Sequence, residues 1–130
     1  MSLNEQSTIP AYVLGRLFAV LEKAQQDANP GINATIKDRY FTSACATPAT
    51  VFPVLLRLSQ HHISKSEHGR TSDRRIGEIM NLLDVNDHPI PVHLSLDEQG
   101  IFILGYYHQR VAIYTPKAID KTAEVSTSEN

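Results

Sequence analysis

The sequence predicts an all-α fold, a single-domain bundle of about five helices, and three features carry that expectation. Apolar residues recur at intervals of three and four over several separate stretches, the spacing that gathers them on one helix face. Breakers stand between those stretches: Asn29-Pro30-Gly31, Thr47-Pro48 and Pro89-Ile90-Pro91. No run alternates apolar with polar residues around an Asn-Gly or Asp-Gly turn, so no hairpin is expected.

The elements follow in order. Residues 1–8 are polar and read as a flexible N-terminus. Pro10 sits in the first turn of a helix running on through AYVLGRLFAVLEKAQQDA, where its missing N–H costs little. Tyr12, Val13, Leu17, Val20, Leu21 and Ala24 face inward by spacing, with Arg16, Glu22, Lys23 and Gln26 on the wetter side. A second, shorter helix spans 34–46, with Ile36, Tyr40, Phe41 and Ala44 on one face. A third begins near Thr50, which leaves Pro53 in its first turn; Val51, Leu55, Leu58 and Ile63 point inward. If it begins at Pro48, Pro53 should kink it. Ser64–Arg75 holds no apolar residue and reads as a loop, with Thr71 or Ser72 capping a fourth helix through Leu83.

The last helix opens on Ser95-x-x-Glu98, the capping-box pattern, with Asp97 and Glu98 in the first turn where the helix dipole favours them. Its apolar residues, Ile101 to Tyr107, occupy nearly the whole circumference. Such a helix is expected to be the buried axis of a bundle. It ends on the polar trio His108-Gln109-Arg110. The bundle is thus expected over 9–114, with a disordered tail over 115–130.

The totals bound the function. At 130 residues the chain is one domain, able to bury roughly two thirds of its unfolded surface. The net charge of -2 does not mark a nucleic-acid binder as a whole. Between Ile36 and Arg75, however, seven Lys or Arg face three acids. One cysteine, no signal-peptide pattern and no apolar run long enough to span a bilayer point to a soluble, cytoplasmic product.

Candidate chemistry is sparse. Adjacent His61 and His62 diverge by about 100° on a helix and do not chelate one ion together, so no metal is expected. Cys45, among alanines, reads as a small buried hydrophobe. Paired carboxylates, a phosphate-cradling Gly-rich loop and Gly-x-Ser-x-Gly are all missing from the sequence, so neither enzyme activity nor a cofactor is expected. Gly15, Gly100 and Gly105 inside helices suggest close helix crossings. The remaining polar set is Arg16, Lys37, Arg39, Arg57, Gln60, His61, Lys65 and the terminal trio. Within it, Arg57, His61 and Lys65 are spaced i, i+4, i+8, a row of cationic groups about 6 Å apart that suits a nucleic-acid backbone.

Four segments carry a family resemblance: AYVLGRLFAVLEKAQ, INATIKDRYFTSACATPATVFPVLLRLSQHHISK, Gly77-Glu78-Ile79, and HLSLDEQGIFILGYYHQR. From about Ala11 to Arg110 the chain resembles the C-terminal helical region of the large subunit of the type I-C CRISPR surveillance complex, Cascade. In that family this region is also made separately, by internal translation initiation, as the small subunit, and the chain length fits that product. The resemblance implies a non-enzymatic helical subunit that lines the guide RNA–target DNA path and helps hold the displaced strand. Its partners would be the backbone and large subunits, further copies of itself, guide RNA, and target and non-target DNA, with no membrane contact. It makes Arg16, Lys37, Arg39, Arg57, His61, Lys65 and Arg110 the candidate nucleic-acid contacts, with Tyr40 or Tyr107 as stacking groups unless Tyr107 is core. The chain departs from the family at Cys45, where Ser or Ala is usual, at Ile103, where Ala is usual, and in the shorter link at 64–75. The alternative roles are a purely structural assembly subunit and a stand-alone helical DNA-binding regulator, for which no recognition helix is apparent.

Overall fold

In the computed structural model, which describes residues 3–31, 35–83 and 89–115, one helix is surrounded by the others. That helix is α1, Pro10–Ala28. Every residue from Ala11 to Glu22 is buried, as are Ala24 and Gln25. Around it pack α2 (Ile36–Ala46), α3 (Pro48–Lys65), α4 (Gly69–Leu83) and α5 (Leu96–Tyr114). The fold is an all-α bundle of five helices, as the periodicity predicts.

The expected axis is therefore displaced from α5 to α1. On α5 the buried residues are Phe102, Gly105, Tyr106 and Gln109, a single stripe. Leu96, Ile103, Leu104, Tyr107, Val111 and Tyr114 are exposed. Tyr107, read as core, is 42% exposed. An apolar circumference permits burial on all sides but cannot supply neighbours, and the nearest surrounding element, α1, covers only one side.

The two helices meet where glycine faces glycine. A Cβ on Gly15 would fall on the Phe102 carbonyl and lie 2.8 Å from the Tyr106 nitrogen; one on Gly105 would fall on the Tyr12 carbonyl. Only a residue without a side chain allows this approach. Gly100 has open space around it and takes no part in a crossing. Beside the contact, Phe18 of α1 meets Phe41, Phe52, Phe102 and Tyr106 edge to face, with centroids 5.3 to 6.5 Å apart. That geometry suits the ring quadrupoles.

Local signals set several boundaries. Ser95 N–H donates to the Glu98 carboxylate at 2.8 Å, and Glu98 N–H donates back to Ser95 Oγ at 3.2 Å. Thr35 N–H donates to the Asp38 carboxylate at 3.0 Å, and Gln25 Oε1 of α1 accepts the Ile36 N–H at 2.8 Å. The segment before α5 is fastened across the α2–α3 junction, Leu94 N–H to the Ala46 carbonyl and Ala49 N–H to the Pro91 carbonyl, both 3.0 Å. Cys45 is buried, as read, and burial raises its thiol pKa.

Three expectations fail at the middle of the chain. The third helix starts at Pro48, so Pro53 lies inside it, and Leu58 points outward. The fourth begins at Gly69 rather than near Thr71, which leaves only residues 66–68 between α3 and α4. Ser72 is buried inside the helix. Gly69 permits the tight corner, because a Cβ there would strike the Ile63 carbonyl. The expected tail beyond residue 115 lies outside the described residues.

Gly105→Ala is expected to destabilise the full chain by about 1–3 kcal/mol through overpacking at the crossing. Gly100→Ala should instead stabilise it by about 1 kcal/mol through helix propensity alone. Urea unfolding of the two variants checks the contrast.

Candidate nucleic-acid interface

The cationic candidates do not converge on one surface. Arg57, His61 and Lys65 stand as a row on the outer face of α3, all exposed. None of them is ion-paired with a carboxylate among the described residues. The charges of Arg57 and Lys65 are available to a ligand, and an α-helix spaces the three side chains about 6 Å apart. Behind the row, His62 is buried, and its Nδ1 lacks a hydrogen-bond partner among the described residues. Burial lowers the His62 pKa, and the neighbouring His61 and Lys65 lower it further.

Lys37 belongs to a second locality, between α2 and α5. Its Nζ donates to the Tyr107 hydroxyl at 3.2 Å and lies 5.2 to 5.7 Å from the ring centroids of Phe41, Tyr106 and Tyr107. A cation held over three rings is partly spent within the fold. Arg39 is exposed on the same helix. Tyr40 packs half-buried against the core.

The trio at the end of α5 splits in three directions. His108 Nδ1 is 2.8 Å from the Tyr12 hydroxyl on α1. Gln109 is buried, and its Oε1 accepts from Arg16 Nε at 2.8 Å. The Arg110 guanidinium lies 5.7 Å from the Tyr114 ring centroid, and Lys23 lies 5.3 Å from the same ring. The Tyr114 hydroxyl donates to Gln26 Oε1.

Arg16 is the clearest departure from expectation. Its periodicity assigns it to the wet side of α1, yet it is 6% exposed. Glu22, assigned to the same side, is 3% exposed and accepts from the Tyr106 hydroxyl at 2.5 Å. Burial, and then that bond, push the Tyr106 pKa up. Arg16 does not face a surface groove with the α3 row. It belongs to the α1–α5 crossing.

The sequence that forms this helical bundle matches a known family. The family is that of CRISPR-associated proteins designated Cas_Csd1, and it matches residues 1–114. The chain belongs to this family. No curated protein matches the chain. The Cas_Csd1 match takes in all five helices, so the α3 row and the α1–α5 crossing both lie in the family region. No helix among the described residues is long and apolar enough to cross a membrane.

The buried His62 gives the row a pH signature. Its depressed pKa means that the unfolded chain takes up a proton near pH 6.5 before the folded chain does. Stability from this residue is present above that pH and is lost as pH falls below it. Urea unfolding between about pH 7.5 and about pH 5.5 is expected to show the decline, and His62→Gln to flatten it.

Proposed function

We propose that the chain is a non-catalytic, cytoplasmic small subunit of a type I-C CRISPR RNA-guided surveillance complex. In this role its copies lie along the guide RNA–target DNA path, beside the backbone and large subunits. They stabilise the R-loop by sequence-independent contacts to the displaced strand. The observation that carries the reading is the exposed, unpaired Arg57–His61–Lys65 row on a chain of the Cas_Csd1 family.

The energetics suit so modest a feature. R-loop formation exchanges one duplex for another of similar stability, so a few backbone contacts per subunit are enough to tip it. A near-neutral chain with one cationic row gains only weak affinity by itself and acts through several copies. No cofactor and no catalytic residue is needed. Replacing Arg57 and Lys65 together by Ala in the assembled complex should weaken single-strand binding. It should also reduce the slope of log affinity against log salt by about 1.4 per engaged copy, from about 0.7 per phosphate. Unchanged affinity and slope would remove the row from the mechanism.

A second reading, bracing of the complex by protein contacts alone, is favoured by the outer face of α5. Ile103, Leu104, Tyr107, Val111 and Tyr114 are exposed there along one helix. Bracing predicts that Leu104→Glu lowers incorporation into the complex at least tenfold, read from subunit stoichiometry after purification, while the Arg57 and Lys65 variant incorporates normally. Full incorporation of Leu104→Glu would exclude α5 as the bracing face.

A further inference from the structure

The ring of helices around α1 is not closed. α2 packs against both α5 and α3, and α3 packs against α4, but α4 and α5 do not pack on each other. The gap between them is a cavity of about 260 Å³. Arg16 of α1 and Gln109 of α5 line it, with Arg74, Arg75 and Glu78 of α4 and Glu5 of the N-terminal segment. Asn4 N–H donates to the Tyr12 hydroxyl at 3.0 Å, which holds that segment on α1.

Arg16 is unbalanced in this gap. Its Nε is satisfied by Gln109, but Nη1 is buried without a partner among the described residues. A buried donor left unmade is costly, and a guanidinium cannot escape the cost by losing its proton. Burial lowers its pKa, while Glu5 and Glu78 act in the opposite sense without forming an ion pair with it. Glu78 is instead paired with Arg74 at 3.7 Å. Arg75, half-buried, has no carboxylate partner among the described residues. Three cations and two carboxylates leave the cavity one positive charge in excess.

We propose that this gap binds one carboxylate, presented by an acidic side chain of a protein partner, with Arg16 Nη1 as the buried donor and Arg75 as the cation beside it. One monoanion brings the cavity to neutrality. Nη1 has almost no accessible surface, so the side chains around it must shift to admit a ligand, and a carboxylate on the slender stem of a glutamate or aspartate needs the smallest shift. A nucleic-acid strand brings its sugars and a run of charges past Glu5 and Glu78, which repel it. The planar guanidinium also matches a carboxylate's geometry. The site uses residues other than the α3 row, so it stands or falls independently of strand holding.

The test is nuclear magnetic resonance of the full chain with ¹⁵N-labelled arginine, following the Arg16 Nε–H signal, assigned by its loss in Arg16→Lys. The probes are sodium acetate, a terminally blocked Gly-Glu-Gly peptide and single-stranded oligothymidylate, at constant ionic strength with chloride. Acetate and the peptide should each shift the signal saturably, with the peptide binding at least threefold more tightly. Arg75→Gln should weaken both at least threefold without changing helix content, and Glu78→Gln should tighten them. Absence of a saturable acetate shift overturns the site. Binding of acetate without the peptide overturns the protein-partner assignment. Oligothymidylate acting at a lower concentration than the peptide makes the site a phosphodiester pocket and overturns the carboxylate.

Discussion

The close crossing of α1 and α5 at Gly15 and Gly105 is the constraint on which the rest of the bundle depends. Because backbone meets backbone there, nothing separates the two helices at the contact point. Long side chains flanking it can then reach across: Tyr12 to His108, Arg16 to Gln109, Glu22 to Tyr106. Each of these bonds joins residues more than eighty positions apart in sequence. Widening the crossing by one methyl group would stretch these bonds as well as the apolar contact. The crossing therefore holds together a polar layer and an aromatic layer, in which Phe18 and Tyr106 also meet edge to face.

That arrangement places two ionisable side chains of α1 in the interior without pairing them with each other. Glu22 takes a hydroxyl and Arg16 takes an amide oxygen, both neutral partners. Hydrogen bonds to ionised groups are stronger than neutral ones, which offsets part of the desolvation. They do not cancel charge. For Glu22 the Tyr106 bond is short, 2.5 Å, and its environment is closed by α5. For Arg16 one nitrogen has no partner among the described residues, and it lies beside the break in the helical ring between α4 and α5. The coincidence of an unmade donor with an opening is what distinguishes Arg16 from a satisfied core arginine.

Much of this was legible wherever the determinants are local. Ser95 and Glu98 are three residues apart and cap each other, and Pro10 opens α1 at the first turn. The all-α class follows from the same short-range periodicity. What periodicity could not supply is which helix the others surround. α5 carries apolar residues on every side, and α1 carries Arg16 and Glu22 on one of its sides, so by composition α5 looks the better axis. The outcome was reversed by Gln109 and Tyr106, whose polar atoms make burial of Arg16 and Glu22 tolerable from a distant part of the chain. The start of α4 is hidden from local spacing for a similar reason. Gly69 is a poor helix former by itself, and only the carbonyl of Ile63 pressing on it explains its position. In the candidate interface, the i, i+4, i+8 spacing located the exposed α3 row, whereas Arg16, Lys37 and Arg110 were each drawn into contacts that spacing does not encode.

The dispersal of the cations bears on how such a subunit could serve a nucleoprotein assembly. A single groove through all seven candidates is incompatible with the bundle: the row lies on the outside of α3, Arg16 faces the α4–α5 gap, and Lys37 is committed to rings between α2 and α5. α3 and α5 touch through Phe52 and Phe102. The cationic row and the exposed apolar residues of α5 each lie on the side of their helix away from that contact, so they belong to different sides of the molecule. The proposed strand holding and the alternative bracing role would thus draw on separate surfaces and would not compete for residues. A subunit built this way can lean on a neighbour through α5 while α3 presents charge to a backbone. The rigid α1–α5 crossing would then transmit the position of one face to the other, because the aromatic contacts of Phe18 tie α5 to α3 through Phe102 and Phe52.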